Sequence, residues 1–317
     1  MKRIQVIPGN NGRLSFSECP MPKARGMNIL VKIHATSMNP HDRKYYERIK
    51  RFYTRSLPIP PLALGHDLSG TIIEIGKGVK KFKRGDEVFA MSAKTGAFGE
   101  YISFDSRMAA LKPSNLSHTE AATVPMAGLT ALQAFKIAKL KTGDKVLIIG
   151  GSGGVGAFAI QIAKAKGAEV TAVCSTANID FVKSLGADQV IDYKKEKFTD
   201  SGVEYEIIFD TIGGESIESC KAVLGKKGQF VNINPSGKSI SEMITSRFTS
   251  LFSSNDRCST TFLAMPVGNH LEEIKQLIES GDIKVVIDKT FTLDHIEESM
   301  QYSKLGRTKG KIAINVI

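Results

Sequence analysis

Apolar positions follow two different rules along this chain. From about Ala121 onward, short continuous apolar runs alternate with amphipathic stretches. The runs predict strands at Lys145–Ile149, Val170–Cys174, Gln189–Asp192, Glu206–Asp210, Gln229–Ile233 and Thr260–Ala264. Between them the pattern predicts helices, clearest at Val155–Lys166, Ile179–Leu185 and Ser216–Leu224. Continuous apolar strands alternating with helices argue for a parallel sheet covered on both faces. Before Ala121 the segments are short, β-branched and bounded by Gly or Pro, as at Asn28–Ala35, Leu68–Ile75 and Glu87–Met91, and they predict a β-rich unit. The basic, aromatic stretch Arg43–Arg55 interrupts it as a helix or a loop, and Ser236–Asp256 is polar and Ser-rich, a loop with one helical piece. After Pro266 come a helix from about Asn269 to Glu279, the segment Val285–Phe291, a helix near Asp294–Ser303 and a last strand, Lys311–Val316. That tail is not another strand–helix repeat and is expected to return to the β-rich unit.

Composition narrows the class. A length of 317 residues fits two domains of about 150 each, and 42% apolar residues suffice for real cores. No apolar run approaches the roughly 18 residues that span a bilayer, and the start, Met1 to Pro8, lacks the apolar core of a secretory signal. A soluble, cytoplasmic protein is expected, with Met1 to Pro8 as its first strand. Cys19, Cys174, Cys220 and Cys258 lie far apart with no paired spacing, so they read as reduced, packed thiols rather than a disulfide framework or a zinc knuckle. Lys and Arg outnumber Asp and Glu by 43 to 32, a formal charge of +11. That excess suits nucleic acid, an anionic membrane face, a phosphorylated small molecule, or solubility alone.

The sharpest chemical signal is Gly150-Gly151-Ser152-Gly153-Gly154-Val155-Gly156, directly after an apolar strand and directly before a helix. Its G-x-G-x-x-G lies at Gly151, Gly153 and Gly156. In this context Gly151 is expected to make the tight turn, Gly153 to let the backbone approach a pyrophosphate, and Gly156 to let the helix pack on its strand. A helix N-terminus there offers N–H groups and partial positive charge to an anion. Enzymes that use NAD usually hold the ribose 2′-hydroxyl with an acid at the end of the second strand. Here that strand runs into Ser175, Thr176, Ala177 and Asn178 with no acid. The two hydroxyls can donate to a 2′-phosphate or cap the following helix, and Tyr193, Lys194 and Lys195 add donors nearby. The reading favours NADP(H).

Further blocks carry a resemblance along nearly the whole chain. They are Met38-Asn39-Pro40-His41-Asp42, Leu64-Gly65-His66-Asp67-Leu68-Ser69-Gly70, Gly85-Asp86-Glu87-Val88-Phe89, Gly96-Ala97-Phe98-Gly99-Glu100-Tyr101, the run from Ala121 to Ala131, the glycine turn, Gly186 to Tyr193, and Gly310-Lys311-Ile312. In this order they resemble the zinc-independent quinone oxidoreductases of the medium-chain dehydrogenase/reductase superfamily. The resemblance implies an α/β fold, a Rossmann doubly wound parallel sheet inserted into a GroES-like β-barrel domain. The GroES-like catalytic domain would be 1–121, completed by 266–317, with the Rossmann domain at 122–265. It also implies a homodimer, a cofactor in the interdomain cleft, and hydride transfer from NADPH to a quinone or an α,β-unsaturated carbonyl.

The same resemblance suggests site residues. Ser152, Gly153, Gly154 and Val155 would line the pyrophosphate, Ser175 and Tyr193 would flank the 2′-phosphate, and Gly213 would approach the ribose. Thr130, Asn232 and Leu263 would stand near the nicotinamide. Ala177 replaces an Arg that close relatives often carry, which is expected to weaken NADP(H) binding. Zinc-dependent relatives hold their metal with a thiolate, a histidine and a second thiolate; here those positions read Asn39, His66 and Met126, which is no three-ligand site. His66 then reads as a hydrogen-bonded wall residue. Asn39 either bonds a substrate carbonyl or satisfies its own Asn-Pro turn, and Lys44 and Tyr46 either reach the same place or lie on the surface. A rival reading, a nucleotide-binding protein that binds RNA, DNA or a membrane surface without turnover, rests on the Arg43–Arg55 stretch and on Lys77, Lys80, Lys81, Lys83 and Arg84. No nucleic-acid motif accompanies them.

Overall fold

The protein is described here by a computed structural model over residues 1–6, 13–53, 62–233 and 258–316. The Ser-rich stretch expected at 236–256 lies outside them. The chain divides into two units, one of Met1–Leu129, Met265–Glu279 and Val285–Ile317, the other of Thr130–Ala264 and Ser280–Lys284. The division falls inside the helix Pro125–Ala138 rather than at 121. Residues 280–284 join the second unit because the buried Gln161 side chain clamps Lys284: Nε2 donates to its carbonyl at 3.1 Å and Oε1 accepts its N–H at 2.8 Å.

In the second unit every predicted run that matters becomes a strand. Six strands pair in parallel, in the spatial order Gln189–Asp192, Glu169–Cys174, Lys145–Ile149, Tyr205–Asp210, Leu224–Asn232, Cys258–Thr261. That is the order of a doubly wound dinucleotide-binding sheet. Leu147, Ile208, Phe230 and Val223 pack together, and strands buried on both faces explain why their sequence shows no alternation. The helix expected over 216–224 shrinks to Ile217–Cys220, because Leu224 already pairs with Tyr205 and starts a nine-residue strand. The last strand ends at Thr261 rather than Ala264, and Leu263 beyond it stands 76% exposed.

The first unit is antiparallel except at its C-terminal pair. A seven-stranded sheet centres on the eleven-residue strand Asn28–Met38, which pairs with Asp67–Ile75, Tyr101–Asp105 and Lys311–Asn315. Thus the end of the chain does return to its beginning. The Asn28–Met38 and Asp67–Ile75 strands approach so closely at Gly70 that a Cβ there would lie 2.0 Å from the Lys32 carbonyl oxygen. The 43–55 stretch falls mostly in a helix, Pro40–Tyr53. Proline suits its first turn, and Asp42 Oδ2 reaches back to accept the Asn39 N–H at 3.0 Å, satisfying a donor the helix itself cannot.

One buried carboxylate ties these pieces together. Asp67 is fully buried; its Oδ2 accepts from Ser37 Oγ at 2.8 Å and Asn39 Nδ2 at 2.9 Å, and its Oδ1 accepts the Met126 N–H at 2.9 Å. Lys311 Nζ lies 3.9 Å from the same carboxylate and donates to Asn39 Oδ1. Burial pushes Asp67 up and Lys311 down in pKa, and each charge opposes the shift of the other. Removing one member leaves the other charge buried without its counterion. We expect Lys311→Met to lower the unfolding free energy by about 3–5 kcal/mol. Lys311→Met with Asp67→Asn should lose less than the sum of the two single variants, as measured by urea unfolding.

Candidate functional site

In a parallel sheet of this order, ligands bind at the C-terminal ends of the strands. The second unit gathers most of its predicted residues there. Gly150 ends the central strand and takes the left-handed turn, with φ +85°; a Cβ on it would lie 2.6 Å from both Ile212 and Thr211 side chains. This corrects the expectation that Gly151 makes the turn. Gly151 instead lies tight against the neighbouring strand and the following helix, since a Cβ on it would stand 3.0 Å from that of Ala172 and 3.3 Å from the Ile160 side chain. Gly156 is tighter still, with a Cβ placed 2.2 Å from the Gly150 carbonyl oxygen. Gly153 differs from both: a Cβ there meets only the Gly150 oxygen, at 3.6 Å. The helix Gly154–Ala165 begins after Gly153 with no side chain capping it, so its first turn presents backbone N–H groups. Ser152, Gly153, Gly154 and Val155 are all partly exposed around that terminus.

The neighbouring strand ends hold this turn in place. Asn178 Nδ2 donates to Ser152 Oγ at 3.0 Å, joining the loop after Cys174 to the glycine turn. Ser175 begins a short 3₁₀ segment without capping it, so the helix-capping alternative does not describe its hydroxyl. The Thr176 hydroxyl, expected to face a phosphate, donates instead to Asp192 Oδ2 at 2.6 Å. Parallel pairing sets Cys174 beside Asp192, which brings an acid next to the loop after all. That carboxylate also accepts the Lys194 N–H at 3.1 Å; the Thr176 bond, then Lys194 and Lys195, hold its pKa down against burial. Tyr193, next along, is 62% exposed. After the fourth strand, Asp210 accepts the N–H groups of Ile212, Gly213 and Glu215, and Gly213 adopts φ +90°. Asn232 is buried at the end of the fifth strand, Thr130 is buried on its helix, and Leu263 is exposed beyond the sixth.

The three residues expected on the substrate side are not brought together. Asn39 is 3% exposed, and both ends of its carboxamide bond within the Asp67 cluster. Tyr46 packs its ring against the core containing Ile4, Ile49 and Ile296, which raises its phenol pKa chiefly by burial. Lys44 is exposed on the same helix. Helical periodicity gives the reason: His41 and Tyr45 share one face, and Tyr46 lies a third of a turn away. It is His41 and Tyr45 that surround the Gly-His block. The His66 ring stands edge-on to both, with centroids 5.1 Å from His41 and 6.4 Å from Tyr45. Its Nδ1 bonds Asp42 Oδ1 at 2.8 Å, and Asp42 is fully buried. In the sequence Asp42, Asp67 and Lys311 stand out only as members of the resembling blocks, and their acidic and basic types are the one signal of a role.

Of the positions Asn39, His66 and Met126, only one offers an imidazole. With the Asn39 amide occupied and Met126 contributing its backbone N–H to Asp67, a single imidazole remains, and one ligand cannot form an open three-ligand site. Among the described residues no group of three or more His, Cys, Asp or Glu side chains could hold a metal ion. Nor is any described helix long and apolar enough to cross a membrane.

Comparison with known proteins agrees with this architecture. Residues 25–114 match the alcohol dehydrogenase GroES-like domain, and residues 185–314 match the zinc-binding dehydrogenase domain. The chloroplast envelope quinone oxidoreductase homolog of Arabidopsis thaliana is 34% identical over 319 residues, covering 96% of this chain and 95% of that protein. A chloroplastic NADPH-dependent alkenal/one oxidoreductase from the same plant is 31% identical over 94% of this chain and 74% of its own length. The solved quinone oxidoreductase from Coxiella burnetii superposes with a TM-score of 0.85 at 31% identity, covering 100% of this chain and 99% of that one. The chain belongs to the quinone oxidoreductase family of the medium-chain dehydrogenase/reductase superfamily.

The glycine geometry separates fold from binding. Gly156→Ala is expected to destabilise the protein by about 1–3 kcal/mol, as overpacking does. Gly153→Ala should leave the melting temperature nearly unchanged and weaken dinucleotide binding about tenfold. Thermal melts beside a fluorescence titration with the dinucleotide check both halves.

Proposed function

We propose that this chain transfers a hydride from NADPH to a quinone or an α,β-unsaturated carbonyl without zinc. The observation that carries the reading is the uncapped N-terminus of the helix Gly154–Ala165 behind a glycine turn, at the C-terminal edge of a six-stranded parallel sheet. Ser152, Gly153, Gly154 and Val155 would hold the pyrophosphate through backbone N–H groups and one hydroxyl. Gly213 would lie against the ribose; Thr130, Asn232 and Leu263 would flank the nicotinamide. When bound, the reduced nicotinamide supplies the hydride, so the protein's part is orientation and exclusion of water.

NADPH is preferred because the acid nearest the loop is occupied. Thr176 and the Lys194 N–H hold Asp192, while Ser175, Tyr193 and the exposed Lys194 and Lys195 remain as donors or positive charge for a 2′-phosphate. The names of similar proteins support the same chemistry: quinone oxidoreductase, and NADPH-dependent alkenal/one oxidoreductase. A homodimer belongs to this reading as well. Relatives named for chloroplasts and mitochondria show that compartment varies within the family.

The test follows the absorbance of reduced nicotinamide. NADPH should be oxidised in the presence of quinones and 2-alkenals and left untouched by saturated ketones. Ser175→Asp should raise the KM for NADPH at least about tenfold, by like-charge repulsion, and affect NADH much less. A wild-type preference for NADH, or activity on saturated ketones alone, would contradict the proposal.

A further inference from the structure

We infer that Asn178 is a positioning residue for the dinucleotide, holding the Ser152 hydroxyl so that it donates to the pyrophosphate. The inference rests on the reading of the chain as an NADPH-dependent reductase, and every residue it uses belongs to the second unit.

Ser152 is the one residue of the turn 150–154 that carries a side chain. Asn178 Nδ2 donates to its Oγ at 3.0 Å, and among the described residues the Ser152 side chain makes no other hydrogen bond. A carboxamide nitrogen can only donate, whereas a hydroxyl has one proton to give and two lone pairs to accept with. Facing that nitrogen, Ser152 Oγ is an acceptor, and its own proton points away from Asn178. Accepting one hydrogen bond also strengthens the hydroxyl as a donor in the next. An anion is the partner that suits such a donor. The uncapped helix Gly154–Ala165 starts two residues later, and its first-turn N–H groups continue the same stretch of backbone. Ser152 is partly exposed, so its proton is open to a ligand.

The Asn178 side chain does nothing for its own helix. It stands at the N-cap of Ile179–Ser184, where an Asn ordinarily accepts an N–H of the first turn, yet it makes no such bond. Nor does it hold its loop together. The Asn178 N–H donates to the Ser175 carbonyl at 2.8 Å, and Thr176 anchors the same loop on Asp192 at 2.6 Å. The bond to Ser152 is the one described hydrogen bond that the carboxamide makes. An alanine there would leave the other bonds of the loop in place and free the Ser152 hydroxyl to rotate. A rotating hydroxyl has to be ordered each time a ligand binds, and a held one is ordered beforehand. Ser152 thus serves a group that NADPH and NADH share, and Ser175 the phosphate that separates them.

Two fragments of the dinucleotide distinguish this role from a structural one. ADP-ribose has the pyrophosphate and no 2′-phosphate, and adenosine 2′-monophosphate has the reverse. Binding of each to the full chain is measured by displacement of NADPH fluorescence. Asn178→Ala should weaken NADPH, NADH and ADP-ribose alike, by about fivefold, the scale of one hydrogen bond. Adenosine 2′-monophosphate should stay within about twofold, which also shows that the variant is folded. Asn178→Asp keeps the shape but offers an acceptor, so it turns the Ser152 proton inward and adds a negative charge. It should bind ADP-ribose at least about tenfold more weakly than the wild type, and more weakly than Asn178→Ala does. In a Ser152→Ala background, adding Asn178→Ala should cost less than about twofold, because the two side chains act as one unit.

An Asn178→Ala protein that binds ADP-ribose as the wild type does overturns the proposal alone. So does an Asn178→Asp protein that binds it better than Asn178→Ala, or a loss of adenosine 2′-monophosphate binding in step with ADP-ribose. A wild-type protein that binds neither ADP-ribose nor NADPH overturns the functional reading, and this inference with it.

Discussion

The buried carboxylate of Asp67 is the constraint around which the first unit is assembled. Its partners sit at positions 37, 39, 126 and 311, which belong to a central strand, the start of a helix, the start of a second helix and the last strand. A charge removed from water is tolerable only where donors and a counterion surround it. The hydrogen bonds therefore specify where four distant pieces of chain must meet, and the unit needs both ends of the sequence to satisfy one side chain. Apolar packing alone would accept several registers; a carboxylate with defined donors accepts few. The same requirement explains why Asn39 behaves as a framework residue. Its carboxamide faces an acceptor on one side and an ammonium on the other, which suits an amide and would not suit a carboxylate or a hydrocarbon.

The second unit solves its polar problem by other means. Its site is built from backbone: a left-handed glycine, a helix terminus without a cap, and loops whose N–H groups are held by Asp210 and Asp192. These acids arrange the loops from beneath rather than facing outward. Such a site carries little net charge of its own, so the formal +11 of the chain is mostly not located there. Lysines 77, 80, 81 and 83, which motivated a nucleic-acid reading, sit in the first unit on and beside a turn between two strands, and Lys81 pairs loosely with Glu272.

How much of this was legible depended on the range of the interaction. Strand 145–149 is readable to the residue, because burial on both faces leaves a continuous apolar run with a polar end. The glycine turn was legible as a unit but not in its internal division of roles. Whether Gly150 or Gly151 takes the positive φ is decided by Ile212 and Thr211, which are distant in sequence. Adjacent tyrosines at 45 and 46 pose the same difficulty: both pack against the core around Ile4 and Ile296, and only the ring of His66, distant in sequence, singles out Tyr45. The helix at 216–224 failed for a related reason, since pairing between Leu224 and Tyr205 drew its end into the sheet. Pairing of acids with bases was least legible, because residue type announces a charge but never its partner.

Charge balance in the first unit links these observations to chemistry. The cluster holds two buried carboxylates, Asp42 and Asp67, and one buried ammonium, Lys311. Lys311 sits on Asp67 and, through Asn39 Oδ1, on the amide that Asp67 also binds. Asp42 has no lysine or arginine within ion-pair distance among the described residues; its charged neighbour is His66. A neutral imidazole would therefore leave one carboxylate uncompensated in a poorly solvated region, whereas an imidazolium balances two anions with two cations. The field that raises His66 is thus a property of the whole cluster, Asp42 first and Asp67 after it.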